Sequence, residues 1–140
     1  MATDTQLQVT LVTPERILFD TTAASVDLPS RTGRIEVLPG HAPLVAELGA
    51  GDVTLQGSTL ETTRWNVSWG FVEVLPNRVT ILANDAVAPA AIDVAAARQQ
   101  LEHAHSLWNT AGDDAEAYDA ANHVLEEAQA RLASAENPAS

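Results

Sequence analysis

Four histidines, His41, His103, His105 and His123, and 19 carboxylates are the side chains of this chain with the means to bind a metal or move protons. Their spacing argues against both. His103 and His105 stand two apart on a predicted helix, about 200° around its axis, so they cannot share a metal ion. No H-E-x-x-H pair exists. Solvent-facing or capping roles are the ordinary reading of such histidines. The acidic run Asp113, Asp114, Glu116 lacks the alternation and central glycine of a calcium loop, and an acid-rich helix start is already explained by the helix dipole. Neither a G-x-x-x-x-G-K-[ST] phosphate loop nor a G-x-S-x-G nucleophile turn is present. Without cysteine there is no thiolate nucleophile, disulfide or thiolate metal site, which fits a reducing compartment. These residues predict no catalytic group, no metal and no cofactor.

The charge excludes a further class of partner. The formal net charge is -12 and all seven basic residues are arginine, so no lysine is available as a Schiff base or phosphate clamp. Arg16, Arg31, Arg34, Arg64, Arg78, Arg98 and Arg131 never fall closer than three apart, and a polyanion needs a clustered basic patch. Nucleic acid is therefore not an expected partner. The missing lysines have two readings, a genome biased toward Arg and Ala codons or a salty cytoplasm in which carboxylates keep proteins soluble.

The elements that must position any functional residue divide into two sets. Up to about Ala83 the chain alternates with period two, as in Leu7, Val9, Leu11; Ala24, Val26, Leu28; and Trp65, Val67, Trp69, Phe71, each series aimed at a core. Turn residues at Thr13-Pro14, Ser30 to Gly33, Pro39-Gly40, Gly49 to Asp52, Gly57-Ser58 and Pro76-Asn77 divide this region into about eight or more short strands, hence an antiparallel β-sandwich or flattened barrel. From Asp85 onward the composition turns to Ala, Glu, Gln and Asp; 18 of the 25 alanines lie in residues 86 to 140, which is helix-forming composition. Asp93 is placed to cap a first helix, with a stripe of Val94, Ala97, Leu101, Ala104 and Trp108. Gly112 is placed to end it, and Asp113 or Asp114 to cap a second helix striped by Tyr118, Ala121, Leu125, Ala128, Leu132 and Ala135. So short a loop makes the helices antiparallel. The expected fold is α+β, with residues 1-86 a sandwich and 87-140 a helical hairpin; Asn137 to Ser140 should fray. No run of 18 apolar residues spans a bilayer, and Met1 to Thr10 has no secretory pattern, so a soluble chain is expected.

The stripes hold few large residues, namely Leu101, Trp108, Tyr118, Leu125 and Leu132. At about 1.5 to 3 kcal/mol for each fully buried large apolar side chain, closing the hairpin gains several kcal/mol at most before ordering entropy is subtracted. A partner with a competing surface can reverse such a balance. The hairpin is therefore expected to be movable.

The segment Leu38-Pro39-Gly40-His41-Ala42-Pro43-Leu44, preceded by Leu28-Pro29 and Gly33, resembles the hallmark of the epsilon subunits of bacterial and chloroplast ATP synthases. Val12-Thr13-Pro14-Glu15, Leu48-Gly49-Ala50-Gly51, Trp69-Gly70-Phe71-Val72-Glu73-Val74, Asn77 to Ala83 and Ile92-Asp93 agree in order and spacing, so the resemblance runs along nearly the whole chain. It implies a non-catalytic central-stalk rotor subunit of the proton-translocating F-type ATP synthase, peripheral on the cytoplasmic face of a bacterial plasma membrane or the stromal face of a thylakoid. The implied partners are the gamma subunit and the c-ring, bound by the sandwich, and conditionally the catalytic alpha/beta head, reached by an extended hairpin that restrains ATP hydrolysis. The implied gamma and c-ring loop contains Arg34, Glu36, Pro39, Gly40, His41 and Pro43. Gly33-Arg34-Ile35-Glu36 departs from the family's Gly-Glu-x-Gly, reversing the charge order. Ile92 and Asp93 match the start of the helices in nucleotide-binding members, but Ala96 stands where those carry arginine, so phosphate has little charge to meet. Independently of the resemblance, Pro39 to Pro43 reads as a rigid turn between strands.

Two other classes fit the same residues. A free-standing binding module would use Trp65 or Trp69 as an exposed platform, although alternating tryptophans are more often core. A small hydrolase would need a carboxylate pair beside a second catalytic signal, and none is present. Co-purification with gamma and the catalytic head separates the rotor subunit from both.

Overall fold

The computed structural model describes residues 6-57 and 62-136, and the chain forms two compact units that divide between Ala88 and Pro89. The first unit is built from β1 (Leu7–Val12), β2 (Ile17–Ala23), β3 (Ser25–Ser30), β4 (Gly33–Val37), β5 (Leu44–Gln56), β6 (Thr62–Leu75) and β7 (Arg78–Val87). Their order in the sheet is β2-β1-β7-β6-β5-β3-β4. Every pairing is antiparallel except β1 with β7, which brings the two ends of the unit's sequence side by side. The continuous sheet folds over itself as a β-sandwich, so that Ala23 of β2 and Val37 of β4, from opposite ends of the order, join one core with Leu7, Val9, Leu28, Val53, Val74 and Ile81.

Turn chemistry sets the strand ends. Thr13 and Arg16 exchange backbone hydrogen bonds between β1 and β2 (2.9 and 3.2 Å). The Ser30 hydroxyl donates to the Gly33 carbonyl (2.6 Å) across the β3–β4 turn. The turn expected at Gly49 to Asp52 is instead the middle of β5. A Cβ on Gly49 would lie 2.8 Å from the Ser30 carbonyl oxygen, so the glycine admits the close approach of β3 rather than a chain reversal. The ladder shifts here, with Asp27 opposite Thr54 but Ser30 opposite Leu48, which makes β5 bulge. Seven strands among the described residues replace the eight or more expected, because β5 and β6 run unbroken for 13 and 14 residues. The expected Gly57-Ser58 turn falls partly, and the frayed tail wholly, outside the described residues.

Within β6 the alternation changes phase. Trp65 and Val67 turn toward the core, and so do Val72 and Val74, which no uninterrupted period of two allows. Trp69 (φ 61°) and Gly70 (φ 128°) both lie in the left-handed region between them. Phe71, expected inside, is consequently 54% exposed.

The second unit has a short 3-10 turn (Pro89–Ala91), α1 (Val94–Thr110) and α2 (Ala115–Glu136). Asp93 caps α1 by accepting from the Ala96 N–H (3.0 Å), and Asp114 caps α2 through the N–H groups of Glu116 and Ala117 (3.0 and 3.3 Å). Gly112, φ 61°, turns the chain between them. The buried residues of the hairpin are Ala97, Ala104, Ala111, Ala121, Ala128 and Ser134, all small. Two of the expected stripe residues lie outside: Val94 and Trp108 are 36% and 44% exposed. Trp108 stands edge-on to Tyr118 at 5.2 Å and donates its ring N–H to Asn122 (3.1 Å), so it clips the loop end of the hairpin rather than filling the seam. Arg131 joins α2 to α1 through Gln100 (3.0 Å) and pairs with Glu127 (2.7 Å).

Candidate functional site

The hallmark loop is a fastened turn. The His41 N–H bonds to the Leu38 carbonyl (3.1 Å), Gly40 adopts φ 90°, and the Gly40 N–H reaches across to the Pro76 carbonyl (2.7 Å) in the β6–β7 turn. The β6–β7 turn is itself tied to β1, since the Gln8 N–H bonds to the Asn77 carbonyl (2.9 Å). Pro39 and Gly40 line an open cleft of about 500 Å³ with Gln6, Pro76 and Asn77. The imidazole of His41 engages the Ala42 carbonyl (2.7 Å), while Pro43 and Leu38 are exposed. Two prolines, a left-handed glycine and a strand-end tether give a rigid, mostly uncharged knuckle suited to contact rather than chemistry.

Arg34 belongs to a different cluster. From β4 its guanidinium pairs with Asp27 of β3 (2.8 Å from Nε, 2.5 Å from Nη2) and Nη2 also donates to the Asp52 backbone carbonyl (2.8 Å) in the β5 bulge. The Asp52 carboxylate in turn accepts from Arg64 (2.8 Å) and Asn66 (3.1 Å) of β6. The network crosses four strands and closes the bulge. Glu36 lies opposite Asp27 in the β3–β4 register and is exposed, so the acid that Arg34 offsets is Asp27 and Glu36 keeps its charge toward solvent. Ile92 and Asp93 lie in the second unit, where Asp93 is occupied as the α1 cap.

A feature that alternation alone did not reveal is an apolar row on the outside of the sandwich. Ile17 pairs with Val12, Val12 with Leu82, Leu82 with Phe71 and Phe71 with Glu47, so one line crosses β2, β1, β7, β6 and β5. Ile17, Leu82 and Phe71 are 64%, 50% and 54% exposed, and Val45, two residues from Glu47 on the same face of β5, is 70% exposed. Glycine inside the β6 pattern was the available signal, since an interior strand glycine marks an irregularity.

Comparison with known proteins now decides the family. The profile of the family described as ATP synthase, Delta/Epsilon chain, beta-sandwich domain matches residues 6–89, the whole sheet. The chain belongs to this family. Among curated family members, the ATP synthase epsilon chain of Koribacter versatilis (strain Ellin345) is 41% identical over 106 residues, 74% of this chain and 72% of that one. The epsilon chain of Granulibacter bethesdensis (strain ATCC BAA-1260 / CGDNIH1) is 34% identical over 131 residues, covering 93% and 97%. Of solved structures containing a similar fold, the mitochondrial ATP synthase of Euglena gracilis has a chain that superposes with a TM-score of 0.80 at 22% identity, covering 95% of this chain and 82% of that one. A chain of the central stalk and c-ring of the Tetrahymena thermophila enzyme gives 0.61 at 11% identity, covering 92% and 96%. At these identities the structural likeness is one of fold.

Proposed function

We propose that the chain works as the epsilon subunit of an F-type ATP synthase, a non-catalytic rotor component that couples through contact surfaces. The observation that carries this reading is the apolar row Ile17, Val12, Leu82, Phe71 on the outer face of a sandwich from this family. A row of exposed large apolar side chains on one outer sheet face is what a permanent partner covers. Gamma is the partner assigned to it. Glu47 at the end of the row, with Glu73 and Asp20 in the neighbouring row, favours a gamma surface that is apolar with a basic rim. The knuckle at Leu38 to His41, with Glu36 beside it, is assigned to the c-ring, and the hairpin to conditional contact with the catalytic head. In this role the subunit is peripheral on the cytoplasmic face of a bacterial plasma membrane, held there through the complex.

The test is binding of the full chain to purified gamma. Phe71→Ser should weaken the complex at least about tenfold, the consequence of losing a buried aromatic at an interface, with an unchanged circular dichroism spectrum. A folded Phe71→Ser variant that binds gamma as tightly as the unmodified chain overturns the assignment of this face.

A further inference from the structure

A regular strand cannot supply core residues Trp65 and Val67 and then Val72 and Val74, because an odd and an even set point to opposite faces. The exchange occurs across Trp69 and Gly70. The glycine is obligatory on steric grounds: its φ is 128° and a Cβ there would meet the Leu82 carbonyl oxygen at 1.9 Å. Trp69 is the less expected member, since φ 61° is uncommon for any residue with a side chain and an outlier for a bulky one. Such a conformation costs on the order of 1 to 3 kcal/mol and persists only where its surroundings enforce it. Here the indole is 6% exposed and Arg31 from the β3–β4 turn stacks on it, 5.5 Å from the ring centroid. The partner strand β7 keeps strict alternation opposite the Phe71 half of β6, with Val79, Ile81 and Ala83 buried and Leu82 exposed, and changes phase only beyond Ala83, where Ala86 packs on the core opposite Val67. The consequence is local: Phe71 turns outward opposite Leu82, and the apolar row becomes continuous across β1, β7 and β6.

We infer that Trp69 and Gly70 are a backbone phase switch whose purpose is to build the partner-facing row, so that the left-handed conformation of Trp69, rather than its bulk, is what binding requires. Both are positioning residues acting through Phe71; the inference rests on the reading of the row as the gamma face. A role in packing alone makes the opposite prediction about substitutions. Trp69→Gly removes the whole side chain but adopts φ 61° freely, whereas Trp69→Val keeps more apolar bulk but is β-branched and strongly resists the left-handed region.

The absence of cysteine supplies a readout independent of any partner. Phe71→Cys introduces a unique thiol whose maleimide labelling rate reports which way position 71 faces. Combined with Trp69→Gly, that thiol should label within about threefold of its rate in the Phe71→Cys chain; combined with Trp69→Val it should label at least tenfold more slowly. Gamma affinity of the two Trp69 variants, each with Phe71 intact, should follow the same order, with Trp69→Gly the tighter binder. Equal labelling in the two backgrounds, or slower labelling with Trp69→Gly, overturns the phase switch itself. If labelling follows the expected order while Phe71→Ser leaves gamma binding unchanged, the switch stands as a structural device and its assigned purpose falls with the gamma reading.

Discussion

Arg34, expected in the partner-binding loop, also makes contacts of its own within the sandwich. Its guanidinium is committed to Asp27 and to a carbonyl in the β5 bulge, so Arg34→Glu would place a third carboxylate beside Asp27 and Asp52. Because Arg34 is about half exposed, the expected loss is modest, about 1 kcal/mol, seen as a lower urea midpoint for the isolated chain and reduced by salt. Gamma binding, assigned to the row Ile17, Val12, Leu82 and Phe71, of which Arg34 is not a member, should change little in the same variant. At the helices, Ala96 occupies the N3 position, where its N–H serves the Asp93 cap and no side-chain cation projects. Of the two helical arginines, Arg131 is engaged with Glu127 and Gln100. We therefore predict no calorimetric binding of ATP to the isolated chain at micromolar concentrations and a modest gain in Ala96→Arg.

The hairpin seam illustrates what periodicity conveys and what it leaves open at the scale of elements. The spacing of Ala97, Ala104 and Ala111 against Ala121 and Ala128 places the helices face to face, but which members of each stripe lie deepest depends on how closely the axes approach. Alanine at the deepest positions allows a close approach, which leaves the larger Leu101, Leu125 and Leu132 half-buried at the flanks. Ala104→Leu should therefore overpack the seam and destabilise the hairpin by about 1 to 3 kcal/mol, detected as faster amide exchange through 94–136 with the strands unaffected. Retained exchange protection in that variant would mean that the helices are not in close contact at Ala104. The same lesson applies to β6, where counting by twos placed Phe71 inside and two left-handed residues placed it outside.

At the scale of the molecule, two units with separate cores predict separable behaviour. Among the described residues, every strand and the sandwich core lie within residues 1–88, so that fragment should fold alone and bind gamma with the affinity of the full chain. An unfolded fragment, or a folded one that no longer binds, would refute the division of labour. The hairpin's charge sets the second expectation. α2 carries Glu116, Asp119, Glu126, Glu127 and Glu136 against Arg131, which is itself paired with Glu127. Where the catalytic beta subunits present an acidic segment, like charges meet, and deleting 89–140 should raise ATP hydrolysis only slightly at low salt. Any restraint should grow as the Debye length falls from about 30 Å to 8 Å; strong restraint at low salt that salt relieves would reverse the sign of the argument. The sequence by itself determined the kind of element in each half, the Asp93 cap of the first helix, the choice of Asp113 or Asp114 for the second, the glycine between the helices and the family, because these depend on periods, turn residues and motif order that are local. Tertiary structure decided which residues face solvent and which are engaged within the fold. Trp69 and Gly70 exchange the faces of β6, the β5 bulge captures Arg34, and strand order aligns Ile17, Val12, Leu82 and Phe71 from four separate strands. Each of these rests on pairing between residues distant in the chain, a relation that no local pattern contains.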